Sequence, residues 1–106
     1  MNDTQYNFLA DELLMAIEDA IEDCGVDIDC ESAGGLLTLA FKNGTKIIIN
    51  KQAPLHEVWV ATKYNGHHFQ HQNGQWFDKR GGDEFWQFIS AAVTKQAEQD
   101  IVLAAE

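Results

Sequence analysis

Apolar residues recur at helical spacing at the start of the chain and at strand spacing through its middle. Over residues 3–23, Leu9, Leu13, Ala16, Ile17, Ala20, Ile21 and Cys24 fall on one side at about 100° per residue, which predicts an amphipathic helix. Asp11, Glu12, Glu18, Asp19, Glu22 and Asp23 fall on the opposite side. Phe8 and Met15 land near that acidic side, against the pattern. Asn2 and Gln5 have the spacing of a capping box, and Gly25 suits the position just past the helix C-terminus.

The period then changes to two. Val26, Ile28 and Cys30 alternate with Asp27, Asp29 and Glu31, so the first strand has one apolar and one acidic face. Gly34-Gly35 turns the chain, and Leu37, Leu39 and Phe41 resume the alternation. Asn-Gly pairs at 43–44, 65–66 and 73–74 are hairpin signals, because both residue types tolerate positive φ. They predict strands near 36–42, 45–50, 56–62, 67–71 and 75–78, with Pro54 in a connection. After Gly81-Gly82, Asp83 and Glu84 open a second helix with an apolar stripe of Phe85, Phe88, Ile89, Ala92 and Val93. The order helix, about six strands, helix predicts an α+β fold: a two-layer α/β sandwich. Its antiparallel sheet has the N- and C-terminal helices packed on one face. Residues 1–106 read as a single domain.

Charge sharpens this picture. Of the 17 acidic residues, ten lie in residues 1–31, where there is no Lys or Arg; the seven others balance the seven basic residues, so the whole net charge of −10 sits in the first third. Nucleic acid and anionic membrane are therefore excluded as partners, because that face repels both. Cys24 and Cys30 have no metal-ligand spacing and fall in apolar phase, which predicts reduced core thiols. The polar start of the chain lacks a signal-peptide pattern, and no apolar run is long enough to span a membrane, which predicts a cytoplasmic protein.

The acidic face costs stability. Glu18/Glu22 and Asp19/Asp23 are like charges at i,i+4, each pair unfavourable by about 0.2–0.5 kcal/mol. Glu22 and Asp23 also meet the negative end of the helix dipole, at a further cost of about 0.3–1 kcal/mol. A face chosen only for solubility mixes signs. This one therefore points to a positive ligand: a cation or a basic protein patch. Glu18, Asp19, Glu22, Asp23, Asp27, Asp29 and Glu31 are the candidate metal ligands. Oxygen-only donors favour Mg²⁺, Ca²⁺, Mn²⁺ or ferric iron and accept Fe²⁺ weakly. With no His among them and no EF-hand pattern, several shallow, low-affinity sites are expected.

A second surface follows from strand phase. Ile47, Ile49, Val58 and Val60 belong to the core, so Ile48, Asn50, Gln52 and Trp59 face outward. An exposed Trp among amides is a protein-contact anchor; alternatively Trp59 caps its own sheet, stacked on a long side chain. His67 and His71 share one face and His68 the other, which is poor geometry for a three-His site. No nucleophile elbow or phosphate-binding loop is present, and an exposed carboxylate cluster does not split its pKa values for acid–base work. The chain reads as a binding protein, not an enzyme.

These residues resemble the frataxin family, in its bacterial branch, over almost the whole chain. The most specific segment is Asn43-Gly-Thr-Lys-Ile-Ile-Ile-Asn-Lys-Gln52, followed by Pro54-Leu-His-Glu-Val-Trp-Val-Ala61. The carboxylate-dense first helix and strand, Gly34-Gly35, and Trp76 ahead of Phe85-Trp86 match as well. The resemblance implies weak binding of Fe²⁺ and Fe³⁺, for which other cations substitute, on Glu18, Asp19, Glu22, Asp23, Asp27, Asp29 and Glu31. It implies a modulatory role in iron–sulfur cluster assembly through a cysteine desulfurase and the scaffold protein. Glu18, Asp19, Glu22, Asp23, Asn50, Gln52 and Trp59 would make those contacts. It also implies a monomer that iron can drive into oligomers. An iron chaperone serving the scaffold, and a ferroxidase or iron store, are the alternatives. Some bacterial members carry a histidine early in the first helix where this chain has Asn7, which weakens any metal site near Asp3.

Overall fold

The computed structural model describes residues 1–105. Helix α1 (Asp3–Asp23) is followed by strands β1 (Ile28–Ala33), β2 (Leu36–Phe41), β3 (Lys46–Gln52), β4 (Glu57–Ala61), β5 (Gly66–Gln72) and β6 (Gln75–Asp78), then helix α2 (Phe85–Ala97). The sheet is an antiparallel meander in the order β1-β2-β3-β4-β5-β6, as the hairpin signals predict. Both helices bury their apolar stripes with the inner face of that sheet in one core, from Tyr6 and Ile17 through Leu39, Ile49 and Phe69 to Phe85 and Ile89.

Local chemistry sets the element ends. The Asn2 side chain accepts from the Gln5 backbone N–H while Gln5 accepts from that of Asn2, which completes the capping box. Glu84 caps α2 by accepting from the backbone N–H groups of Trp86 and Gln87. Only one Asn-Gly pair makes a turn with both residues at positive φ, Asn73 (51°) and Gly74 (82°). At 65–66 neither residue is left-handed. That turn is held instead by the Thr62 hydroxyl, which accepts from the backbone N–H groups of Tyr64 and Asn65.

Three elements differ from the sequence pattern. Strand β1 starts at Ile28, which leaves Val26 and Asp27 in the connection after α1. Pro54 sits in a 3-10 turn (Ala53–Leu55) that ends at a left-handed His56, so β4 starts one residue later than expected. The buried stripe of α1 is Tyr6, Ala10, Leu13, Leu14, Ile17, Ala20 and Ile21, with Leu9, Ala16 and Cys24 only partly buried. The rotation follows from Tyr6, whose ring is buried because its hydroxyl donates to the Glu57 carbonyl at 2.7 Å. Past α2, Ile101 and Leu103 are buried in the core. The Thr94 and Ser90 hydroxyls hold them there, each hydrogen-bonded to both the backbone N–H and C=O of one residue.

Candidate docking ridge

Helix α1 and edge strand β1 pack side by side and, with Asp27 in the connection between them, carry the acidic residues. Asp19, Glu22, Asp23, Asp27, Asp29 and Glu31 are exposed and Glu18 is half-buried. Ile28 and Cys30 point inward, so Asp29 and Glu31 project from the sheet face away from the helices. The acids therefore wrap around one edge of the sandwich rather than converging. Asp27 is compensated by Lys42 at 3.3 Å; the other six have no ion-pair partner among the described residues. Glu18 and Glu22 lie close enough to Cys30 to act on it. Burial first, then these two carboxylates, push its thiol up to about 11, so it stays protonated and a poor nucleophile.

The donor set suits cations held loosely. Among the described residues no three His, Cys, Asp or Glu side chains are arranged to hold a metal ion. Exposed carboxylates keep their water and gather cations through their summed field more than through a closed coordination shell. Near the N-terminus, Asp3 Oδ1 lies 2.7 Å from His56 Nε2, an exposed pair that the sequence reading did not connect. His67 and His71 share the inner face with Phe69, and His68 lies on the outer face, so the three do not converge.

On the outer face, Asn50 pairs directly with Trp59, and Trp59 with His68. Gln52 pairs with Glu57, one row along. Trp59 is not the free anchor that phase alone suggested. It is half-buried, stacked on His68 with centroids 4.2 Å apart, and its indole N–H donates to Glu57 Oε1 at 2.8 Å. Leu36 and Ile48 are the exposed apolar residues beside it. The face therefore runs unbroken from the acidic edge through Thr38 and Ile48.

Glu57 is the group missed in the sequence. Its side chain is only 2 % exposed yet lies on the outer face, where Lys79 Nζ approaches Oε2 at 2.8 Å. Burial pushes Glu57 up. The Lys79 and Trp59 hydrogen bonds, with the charges of Lys79 and His68, outweigh it and hold the group below its usual range. Strand phase places Glu57 beside Trp59; nothing local to the sequence reveals Lys79. A folded pKa below the unfolded one contributes stability above the usual carboxylate value of about 4.3, and that contribution is lost as pH falls through the folded value. Glu57→Gln should therefore lose less stability between pH 7 and pH 3 than the wild type, measured by urea unfolding. Equal losses would contradict the ion pair.

An antiparallel sheet backed by two terminal helices, with one acidic edge and a Trp-bearing open face, defines a small α/β sandwich. A family profile described as "Frataxin-like domain" matches residues 1–99. The chain belongs to the frataxin family. It is 67 % identical over 106 residues to the "Iron-sulfur cluster assembly protein CyaY" of Colwellia psychrerythraea, covering 100 % of both chains. Against the protein of that name from Pseudoalteromonas atlantica it is 60 % identical, covering 92 % of this chain and 91 % of the other. The solved frataxin of Psychromonas ingrahamii superposes with a TM-score of 0.92 at 51 % identity, covering 98 % of this chain and 99 % of the other. A trimeric frataxin from Saccharomyces cerevisiae complexed with ferrous iron superposes with a TM-score of 0.72 at 28 % identity, covering 86 % and 87 %. Among the described residues no helix is long and apolar enough to cross a membrane.

Proposed function

We propose that this protein is a cytoplasmic, non-enzymatic regulator of iron–sulfur cluster assembly. It docks its acidic ridge on a basic patch of the cysteine desulfurase and binds Fe²⁺ and Fe³⁺ weakly on the same carboxylates. The observation that carries the reading is the one-sided charge: residues 1–31 hold ten acidic and no basic residues, and seven of those acids, Glu18, Asp19, Glu22, Asp23, Asp27, Asp29 and Glu31, lie along α1, β1 and the connection between them at one edge of the sandwich. The names of the relatives support a role in cluster assembly, and the ferrous-bound yeast neighbour supports iron as a ligand. Glu18, Asp19, Glu22 and Asp23 make the electrostatic contact; Asn50, Gln52 and Trp59 extend it toward the scaffold protein. Asp27, Asp29 and Glu31 enlarge the cation-attracting field.

The alternative is a chaperone that carries iron to the scaffold. The two readings differ in whether iron is needed for docking. Affinity for the desulfurase, measured by calorimetry with and without Fe²⁺, should be unchanged within about twofold and should fall as salt is raised. Binding that appears only with iron would favour the chaperone.

A further inference from the structure

Phe8 and Met15 are 67 % and 65 % exposed, the most exposed large apolar side chains of α1. They lie seven residues apart, hence on one face, and at about 100° per residue that face is opposite the buried stripe of Tyr6, Leu13 and Ile17. A shallow groove of about 470 Å³ runs between them, lined by Phe8, Asp11, Glu12, Met15, Ala16 and Asp19. A second, of about 590 Å³, continues from Phe8 past Gln5 toward Met1. Asp11 is already paired with Lys51 at 2.7 Å, whereas Glu12 and Asp19 have no ion-pair partner among the described residues.

We propose that this outward face of α1 is a docking surface for a cationic amphipathic helix of a protein partner. Phe8 and Met15 supply apolar anchors, and Glu12 and Asp19 fix the sign of the partner's flanking charges. Aromatic and Met side chains are enriched at contact surfaces, and a helix laid along an apolar groove is a recurrent recognition mode. Charge complementarity selects the occupant. A second copy would set Glu12 and Asp19 against the same carboxylates, and an anionic bilayer would be repelled. From Gln5 to Asp19 the face is roughly 21 Å long at 1.5 Å per residue, room for about 14 residues of partner helix. The surface reaches beyond the ridge acids assigned to the desulfurase, sharing only Asp19 with them.

The test titrates the labelled full chain with two synthetic peptides of about 18 residues and identical Leu/Lys composition. One forms an amphipathic helix; the other is scrambled so that it has no apolar face. The amphipathic peptide should shift amides of residues 5–19 and bind at least about tenfold more tightly than the scrambled one. F8S/M15Q, which leaves the core untouched, should remove that advantage while keeping the wild-type melting temperature. Equal binding of the two peptides, or an advantage that survives F8S/M15Q, overturns the proposal. Concentration-dependent dimers in sedimentation that vanish in F8S/M15Q also overturn it, in favour of a second copy. E22K/D23K separates this surface from the ridge: loss of desulfurase binding with the peptide preference retained supports both readings as distinct. Loss of the peptide preference in E22K/D23K overturns an anchor at Phe8 and Met15.

Discussion

Replacing Glu18, Asp19, Glu22 and Asp23 together by lysine is expected to weaken binding to the cysteine desulfurase by at least about a hundredfold, roughly 2.7 kcal/mol. Four reversals turn attraction into repulsion at each contact with a basic patch, and juxtaposed like charges cost several kcal/mol across an interface. The loss cannot be assigned to unfolding. The side chains are exposed or half-buried on α1. The i,i+4 repulsions persist with the opposite sign, while lysines at 22 and 23 meet the helix dipole favourably. The variant should therefore melt no lower than the wild type. Its residual binding should also lose the steep decline with salt expected of the wild type. Wild-type affinity in a folded variant would remove the ridge from the interface.

Phe69→Ala should have the largest effect on the fold itself, a loss of about 3–5 kcal/mol in urea unfolding. The ring is fully buried on β5, with Phe85 at 5.1 Å and Phe88 at 5.2 Å between centroids. It joins α2 to the sheet at a point where no smaller side chain can reach both. Domains of this size have a total stability of about 5–15 kcal/mol, so the loss removes much of the margin. Phe8→Ala on the exposed face of α1 is the matched control and should fall within about 0.5 kcal/mol of the wild type. Similar losses for the two would contradict the assignment of inner and outer faces.

Most of the architecture is written in periodicity. Ile47, Ile49, Val58 and Val60 alternate cleanly, and the structure buries all four. The turn residues placed the hairpins, although two of the three Asn-Gly pairs fold without the expected pair of positive φ angles because Thr62 and the residues after Asn43 offer other hydrogen bonds. Periodicity alone sets the stripe of α1 off-centre because Tyr6 counts as half polar until its hydroxyl finds Glu57, 51 residues away. Phe8 and Met15 then face solvent for the same reason. Trp59 was readable as an outer-face residue but not as one tied to His68 and Glu57, since both ties depend on strand register. The ridge acids were visible as composition; their spread around an edge became visible only once β1 turned Asp29 and Glu31 away from the helices. The Lys79 contact with Glu57 spans three strands of chain and carries no local signal.

One acidic edge is proposed to serve both the protein partner and iron. Amide chemical-shift mapping of the full chain, with the desulfurase and separately with Fe²⁺, tests it most directly. Both titrations should perturb residues 18–31 on α1, β1 and the connection between them. Only the protein titration should extend to Asn50 and Trp59, and iron should show weak, graded saturation. Perturbations by the two ligands on separate faces, or a desulfurase footprint that leaves residues 18–31 unmoved, would contradict it.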